Sequence, residues 1–457
     1  MMLRLSFVAG LCSLTLAGSA AAQPPSATPE SPTALSFEEA VGAAERTAES
    51  VAIANADVDR ADAQVTSARA GYLPTVNSSL AYQRTLASEF DDINFGPMTG
   101  GSDVKLPFGQ RNNWRVNLNV TQPIFDGFRT KNAVDVAKGG VRHAELGVNS
   151  MRAQVALQVA QAYFDAVLAE RQVVIGEETL RQAEQTYQET ELGFKQGTRP
   201  EFDLVRAEVV RDNQRTLVVQ FKVQRDVTLV SLRRLVGLPL DRQLQLTSTL
   251  DSNDLEQLLA TARKAAGITS TNRIAVAQAK ESVGIRESAL KLAKSQYWPS
   301  LSAGTDLGFV DYDNTPFHPD WRTNWTLGVT LSLPVFDGLR REAQVRTTQA
   351  ELAAAKQQLQ LSSKVSNVET AQARASVEAS QTQLENSIRT VKQAQRAYEI
   401  AELRFSQGAS THLEITDARV QLEQALLVQA RAARDLRVAR FREELLPALP
   451  LGLQLVF

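Results

Sequence analysis

The side chains that most often carry out chemistry are few and far apart in this chain. Its three histidines, His143, His318 and His412, are widely separated, so they make no sequence-local metal site. The one cysteine, Cys12, lies near the start, which excludes a disulfide framework and a cysteine metal site. No G-x-S-x-G elbow, P-loop, H-E-x-x-H pair or dinucleotide fingerprint occurs. Carboxylates are plentiful, but they scatter along helical runs instead of flanking a pocket. No catalytic residue, metal or cofactor is therefore expected. The formal net charge is -2 over 457 residues, which gives no basic face for nucleic acid. What remains for these charges is electrostatic work: caps, ion pairs and local fields on the elements that carry them.

Those elements begin after an export signal. Arg4 precedes a mostly apolar run from Leu5 to Leu16, and Ala20-Ala21-Ala22 offers a small-residue cleavage site before Gln23. Cys12 sits inside this run behind Leu11, where lipidation wants a small residue, so a lipid anchor is disfavoured. The Pro- and Ser-rich stretch after cleavage, 23–33, reads as disordered. No later stretch reaches 18 apolar residues, so an exported protein of this kind is either soluble or inserts as a β-barrel.

The chain is a duplication. Pro123-Ile124-Phe125-Asp126-Gly127 returns as Pro334-Val335-Phe336-Asp337-Gly338, 211 residues later. Trp114 and Trp325 are related by the same offset, as are Phe194-Lys195-Gln196-Gly197 and Phe405-Ser406-Gln407-Gly408. Upstream, Gly71-Tyr72-Leu73-Pro74 resembles Gln296-Tyr297-Trp298-Pro299 at a larger offset. The first copy therefore carries extra residues between its motifs, in an Asp-, Gly- and Pro-rich loop between Ala87 and Gln110. Each copy predicts a helix, a β-hairpin, a very long helix, a turn and a returning helix.

Period-two alternation marks the second strand of each hairpin. Trp114, Val116, Leu118 and Val120 oppose Arg115, Asn117, Asn119 and Thr121; Trp325, Leu327, Val329 and Leu331 oppose Asn324, Thr326, Gly328 and Thr330. The first strands alternate more weakly. A soluble sandwich would also produce such strands. Yet two hairpins isolated in a helical chain suit a membrane only if several subunits share one barrel, because four strands cannot close alone and lipid tolerates no open edge. Three subunits would supply twelve strands, with Trp114 and Trp325 at an interfacial level.

The helical runs are rich in Ala and Gln, and proline is absent from Asn132 to Thr198 and between Pro334 and Pro447. A helix of about sixty residues would be about 90 Å long, which suits a coiled coil or a tubular wall more than a globular core. At the strand-to-helix switches, Pro123 and Pro334 are expected to end the ladder, Asp126 and Asp337 to cap the helix, and Gly127 and Gly338 to relieve the backbone. Phe125 and Phe336 complete these switches.

The duplicated Pro-x-Phe-Asp-Gly, Ala70-Gly71-Tyr72-Leu73-Pro74, Arg234-Leu235-Val236-Gly237-Leu238-Pro239 and the two Gln-Gly turns together resemble the TolC-like outer-membrane efflux protein family, from about Ala34 to Leu446. The resemblance implies a mainly α chain with a small β component, internally duplicated. It would form a trimeric 12-stranded outer-membrane β-barrel continued by a long periplasmic α-helical barrel. It divides the chain into a signal peptide (1–22), an N-terminal segment (23–33), a first repeat (34–240, hairpin about 72–125), a connecting equatorial segment (241–266), a second repeat (267–447, hairpin about 297–336) and a tail (448–457). The implied partners are two further copies in a homotrimer, a periplasmic membrane-fusion adaptor, and an RND-type or ABC-type inner-membrane pump. The adaptor would meet the tips at Phe194, Gln196, Gly197 and Thr198, and at Phe405, Gln407, Gly408 and Ala409. Members of the family carry two aspartates, three residues apart, at the tunnel entrance. The matching positions are Glu414 and Asp417, with the first acid changed, which puts a tight cation-binding ring in doubt. Asp203 and Arg206 hold the first-copy positions and would pair or lock a closed state. His412 reads as an exposed tip residue. A periplasmic coiled coil or adaptor without a pore is the alternative, but it leaves the hairpins unexplained.

Overall fold

A computed structural model describes residues 33–87, 111–250, 254–268, 273–313 and 321–452. The expected signal peptide, most of the segment 23–33, the long loop of the first hairpin, Cys12, His318 and the terminal Phe457 lie outside the described residues. The first copy runs β1 (Thr33–Leu35), α1 (Phe37–Thr47), α2 (Glu49–Arg69), β2 (Thr75–Arg84), β3 (Asn112–Phe125), α3 (Arg129–Lys195) and α4 (Glu201–Val236). β4 (Leu244–Leu246) and α5 (Leu255–Ala265) fall in the connecting segment. The second copy runs α6 (Ile274–Ser295), β5 (Ser300–Asp313), β6 (Arg322–Ser332), α7 (Arg340–Ser406) and α8 (His412–Leu445).

α3 and α7 each hold 67 residues, longer than the sequence estimate, and each spans about 100 Å at 1.5 Å per residue. Two shorter helices end near one another beside each long one. Thr47, at the end of α1, donates its hydroxyl to the Val236 carbonyl at the end of α4 (3.3 Å). In the second copy the Ile274 amide, opening α6, donates to the Pro447 carbonyl just past α8 (2.8 Å). The helical part is thus built from two repeated three-part bundles.

The main core surrounds the middle of α3. Phe37, Tyr163, Phe164 and Phe441 are fully buried with ring centroids 4.9 to 5.8 Å apart. Tyr163 donates its hydroxyl to the Leu35 carbonyl (3.2 Å) and accepts from the Ser248 amide (3.3 Å), so its polar end is satisfied inside the core. Those bonds flank a two-stranded parallel sheet, β1 on β4, which joins the start of the first copy to the connecting segment. Neither three-residue strand carries a readable alternation.

The four long strands form one antiparallel sheet in the order β2-β3-β5-β6. Register puts Val76, Leu80 and Tyr82 on the same face as Trp114, Val116, Leu118 and Val120. It adds Leu301, Leu307 and Phe309, then Trp325, Leu327, Val329 and Leu331. Asn77, Ser79, Arg115, Asn117, Asn119, Asp306, Asn324 and Thr326 share the other face with Gly304, Gly308 and Gly328.

The strand-to-helix switches differ from expectation at one point. Pro123 does not end β3. It still pairs with Ser302, and the register slips between Pro123 and Phe125, so its missing N–H falls at an irregularity of the ladder. β6 does stop before Pro334, at Ser332. Asp126 Oδ2 accepts the Thr130 amide (2.7 Å) and also the Thr130 hydroxyl; Asp337 Oδ2 accepts the Arg341 amide (3.1 Å) and Nε (2.9 Å). Gly127 and Phe128 are both left-handed (φ 66 each), as are Gly338 and Leu339 (φ 71 and 70). Two such residues in succession turn the chain from sheet into helix, a conformation that glycine adopts without steric cost and that phenylalanine and leucine adopt at a cost.

Candidate functional site

Two features carry the functional reading: the amphipathic sheet at one end of the long helices and the paired turns at the other. On the sheet, Val76, Leu80, Trp325, Leu327, Val329 and Leu331 are exposed, and among the described residues β2 and β6 are open edges. Such a surface is a liability in water unless something covers it. Trp114 and Trp325 stand near the starts of β3 and β6, away from the long helices. Trp325 donates its indole N–H to Thr305 Oγ1 (2.7 Å), and Trp114 packs on Tyr82 with centroids 4.5 Å apart.

Both turns are glycine-terminated helix ends of the same design. Gly197 (φ 74) donates to the Phe194 carbonyl (2.9 Å) and Thr198 to the Gly193 carbonyl (2.9 Å). Gly408 (φ 73) donates to Phe405 (3.0 Å) and Ala409 to Arg404 (2.8 Å). These paired bonds satisfy the last carbonyls of each long helix, and the left-handed residue that makes them is the glycine. Gln196 and Gln407 precede the glycines and are exposed, as are Thr198 and Ala409.

The tips then diverge. Phe194 is 40% exposed, whereas Phe405 is 2% exposed and packs with Tyr398, Ile415 and Leu422. Of these two candidate adaptor contacts, only Phe194 presents its ring outward in this conformation. Arg199, from the first turn, lies over the Phe405 ring at 4.1 Å and donates Nη2 to the Phe405 carbonyl (3.3 Å). One tip thereby holds the other, and Gly193 leaves the room: a Cβ there would stand 2.6 Å from Arg199 Cγ. Sequence reasoning missed this clasp, since no short-range pattern links residues so far apart.

Glu414 and Asp417 are both exposed on the first turns of α8, and Thr411 caps that helix through the Glu414 amide (3.4 Å). Arg404 Nη1 lies 3.6 Å from Glu414. Asp203 and Arg206 are half-buried on α4 and form no ion pair with each other among the described residues; both lie close enough to bear on His412. The expectation for His412 is overturned. It is 3% exposed, because it opens the buried face that Ile415, Arg419 and Leu422 continue at helical spacing. That spacing was the available signal. Burial pushes its pKa below the ordinary histidine range; Arg206, Arg419 and Arg199 act in the same direction and Asp203 opposes them.

Above the tip lies a second buried polar layer. Gln214 of α4 donates to Glu423 of α8 (2.7 Å), and burial raises the Glu423 pKa against that bond and against Arg419. Burial, with Glu402 nearby, pushes the Tyr398 hydroxyl up to about 12. Among the described residues no group of three or more His, Cys, Asp or Glu side chains is placed to hold a metal ion, and no helix is long and apolar enough to cross a membrane.

Comparison with known proteins places this architecture. The sequence profile described as "Outer membrane efflux protein" matches residues 41–238 and 265–442. The chain is similar to "Nodulation protein T" of Rhizobium leguminosarum bv. viciae, 22% identical over 386 residues, 83% of this chain and 75% of that one. It is also similar to "Pyoverdine export outer membrane protein OpmQ" of Pseudomonas putida, 24% identical over 391 residues, 83% and 79% of the two chains. Among solved structures, the outer membrane protein VceC of Vibrio cholerae superposes with a TM-score of 0.72 at 18% identity, covering 92% of this chain and 97% of that one. With the family profile spanning both repeats, the chain belongs to the outer membrane efflux protein family, the non-catalytic outer-membrane conduits of efflux and secretion systems.

Proposed function

We propose that three copies of this chain close their sheets into one twelve-stranded barrel in the outer membrane, with the long helices forming a tunnel below it. The observation that carries this reading is the sheet itself. Apolar side chains from all four strands share one face in register, and among the described residues neither edge strand has a further partner. Neighbouring copies supply the missing edge partners, lipid covers the apolar face, and the glycine-lined polar face borders the lumen. The tips then mark the periplasmic entrance, where a membrane-fusion adaptor docks and connects an RND-type or ABC-type pump. The pump supplies the energy, and the duct conducts passively. Exposed Glu414 and Asp417 become a ring of carboxylates at the mouth, which attracts cations and repels anions.

The mass and membrane fraction of the detergent-purified protein test the assembly. An outer-membrane species of three copies is expected; a soluble monomer or dimer returns the hairpins to a sandwich and the helices to a poreless coiled coil. For the ring, Glu414→Gln combined with Asp417→Asn lowers cation selectivity in a planar bilayer. An unchanged reversal potential removes those carboxylates from the mouth.

A further inference from the structure

His412 has no hydrogen-bonding role where it stands. Among the described residues neither Nδ1 nor Nε2 finds a partner, and Thr416, one turn along the same face of α8, has a buried Oγ1 that is likewise unpartnered there. A buried polar ring in this state costs stability, which directs attention to its surroundings. α7 contributes the Phe405 ring, with centroids 6.0 Å apart. α4 contributes Asp203 and Arg206, the turn before it contributes Arg199, and α8 contributes Arg419. His412 is also the first residue of α8, where the helix end is electropositive. Three guanidinium groups and a helix N-terminus therefore bear on the ring, against a single carboxylate. The site accepts an imidazole and resists an imidazolium. The same Phe405 that packs on His412 lies under Arg199, so the ring belongs to the contact that joins the two tips.

We propose that His412 is a proton-responsive release for this clasp: neutral, it packs with Phe405 beneath Arg199 and keeps the tips together; protonated, it leaves the site and the tips part. The inference rests on the reading of the tips as the tunnel entrance. The closed tip holds the neutral ring, whereas a parted tip lets it bind a proton at an ordinary pH of about 6.5. The hold is therefore complete above that pH and weakens as the pH falls below it.

The test is conductance of the purified full-length protein in planar bilayers, from about pH 7.5 to about pH 5.5, a range that spans the ordinary histidine titration. Wild type is expected to rise several-fold on acidification. His412→Phe, which keeps the packing and removes the proton site, stays flat; His412→Asn serves the same purpose if the larger ring does not fold. His412→Lys conducts at the upper pH as wild type does at the lower. Mouth carboxylates also take up protons in acid, which is why the comparison is with a variant lacking only the imidazole. A pH response that survives in His412→Phe or His412→Asn overturns the switch and leaves the duct reading standing. A wild-type protein that forms no channel at any pH overturns the duct reading, and the switch with it.

Discussion

α3 and α7 have equal length, the same entry motif and the same glycine end, yet they live in different surroundings. Much of α3 is buried against α1, α2, α4, α5, α6 and α8, and Tyr163 and Phe164 anchor its middle. The positions 211 residues later are Arg374 and Ala375, and both are exposed. α7 packs mainly on α6 and α8, with Phe405 reached by Arg199 near its end, and leaves most of its Ala-, Ser- and Gln-rich surface open. The switches repeat the contrast: a Cβ on Gly127 would stand 2.5 Å from Trp298, while one on Gly338 meets nothing within 4 Å. Duplication supplied one helical design twice. Divergence then made one copy a spine within the subunit and left the other with small side chains suited to close approach by another helix.

Substitutions at matched positions sharpen that contrast. The largest effect is expected from Phe164→Ala, which empties a fully buried aromatic site and costs about 3–5 kcal/mol. It would be read as a lowered denaturation midpoint or loss of folded protein. Its counterpart Ala375→Phe is expected to leave the subunit fold intact and to weaken assembly, measured as the trimer fraction on a native gel. A subunit that unfolds instead would mean α7 is as internal as α3. At the tips, Gly197→Ala and Gly408→Ala each force a methyl group into a left-handed conformation and cost about 1 kcal/mol. Equal losses would show that the two turns remain the same device. Arg199→Ala removes the clasp and costs about 0.5–2 kcal/mol locally, seen as faster hydrogen exchange in both tips, around Gly197 and around Phe405. Exchange changing in the first tip alone would deny the link between copies. The smallest effect belongs to Glu423→Gln, which relieves burial of a charge while keeping an acceptor for Gln214. A gain of up to about 1 kcal/mol at neutral pH is expected. Because burial raises the Glu423 pKa, its destabilising effect fades as the pH falls and the carboxyl protonates, so the gain should shrink in acid.

Local pattern made much of this molecule legible. The alternation around Trp114 and Trp325, the repeated Pro-x-Phe-Asp-Gly and the Gln-Gly turns encode strand, switch and helix end within a few residues each. What escaped depends on contacts between distant segments. Leu35 and Leu246 pair because the core brings their strands together, and three residues are too few to show a period. Arg199 reaches Phe405 across the two repeats. Pro123 stays in its strand because the ladder absorbs it with a register slip. His412 lay within reach of sequence reasoning: extending the Ile415 and Leu422 stripe back by one turn places it on the buried face.

The matched helices also act as a gauge. Adding one residue to α3 alone would advance its tip by about 1.5 Å and rotate every side chain beyond the insertion by about 100°. Phe194 would leave its face, and Arg199 would lose the register that sets it over Phe405. Seven residues, about two turns, nearly restore the face, but they lower one tip by about 10 Å relative to the other. The depth of the structure is therefore quantised and shared. It can change only when both copies, and the ascending and returning helices within each, change by the same whole number of turns.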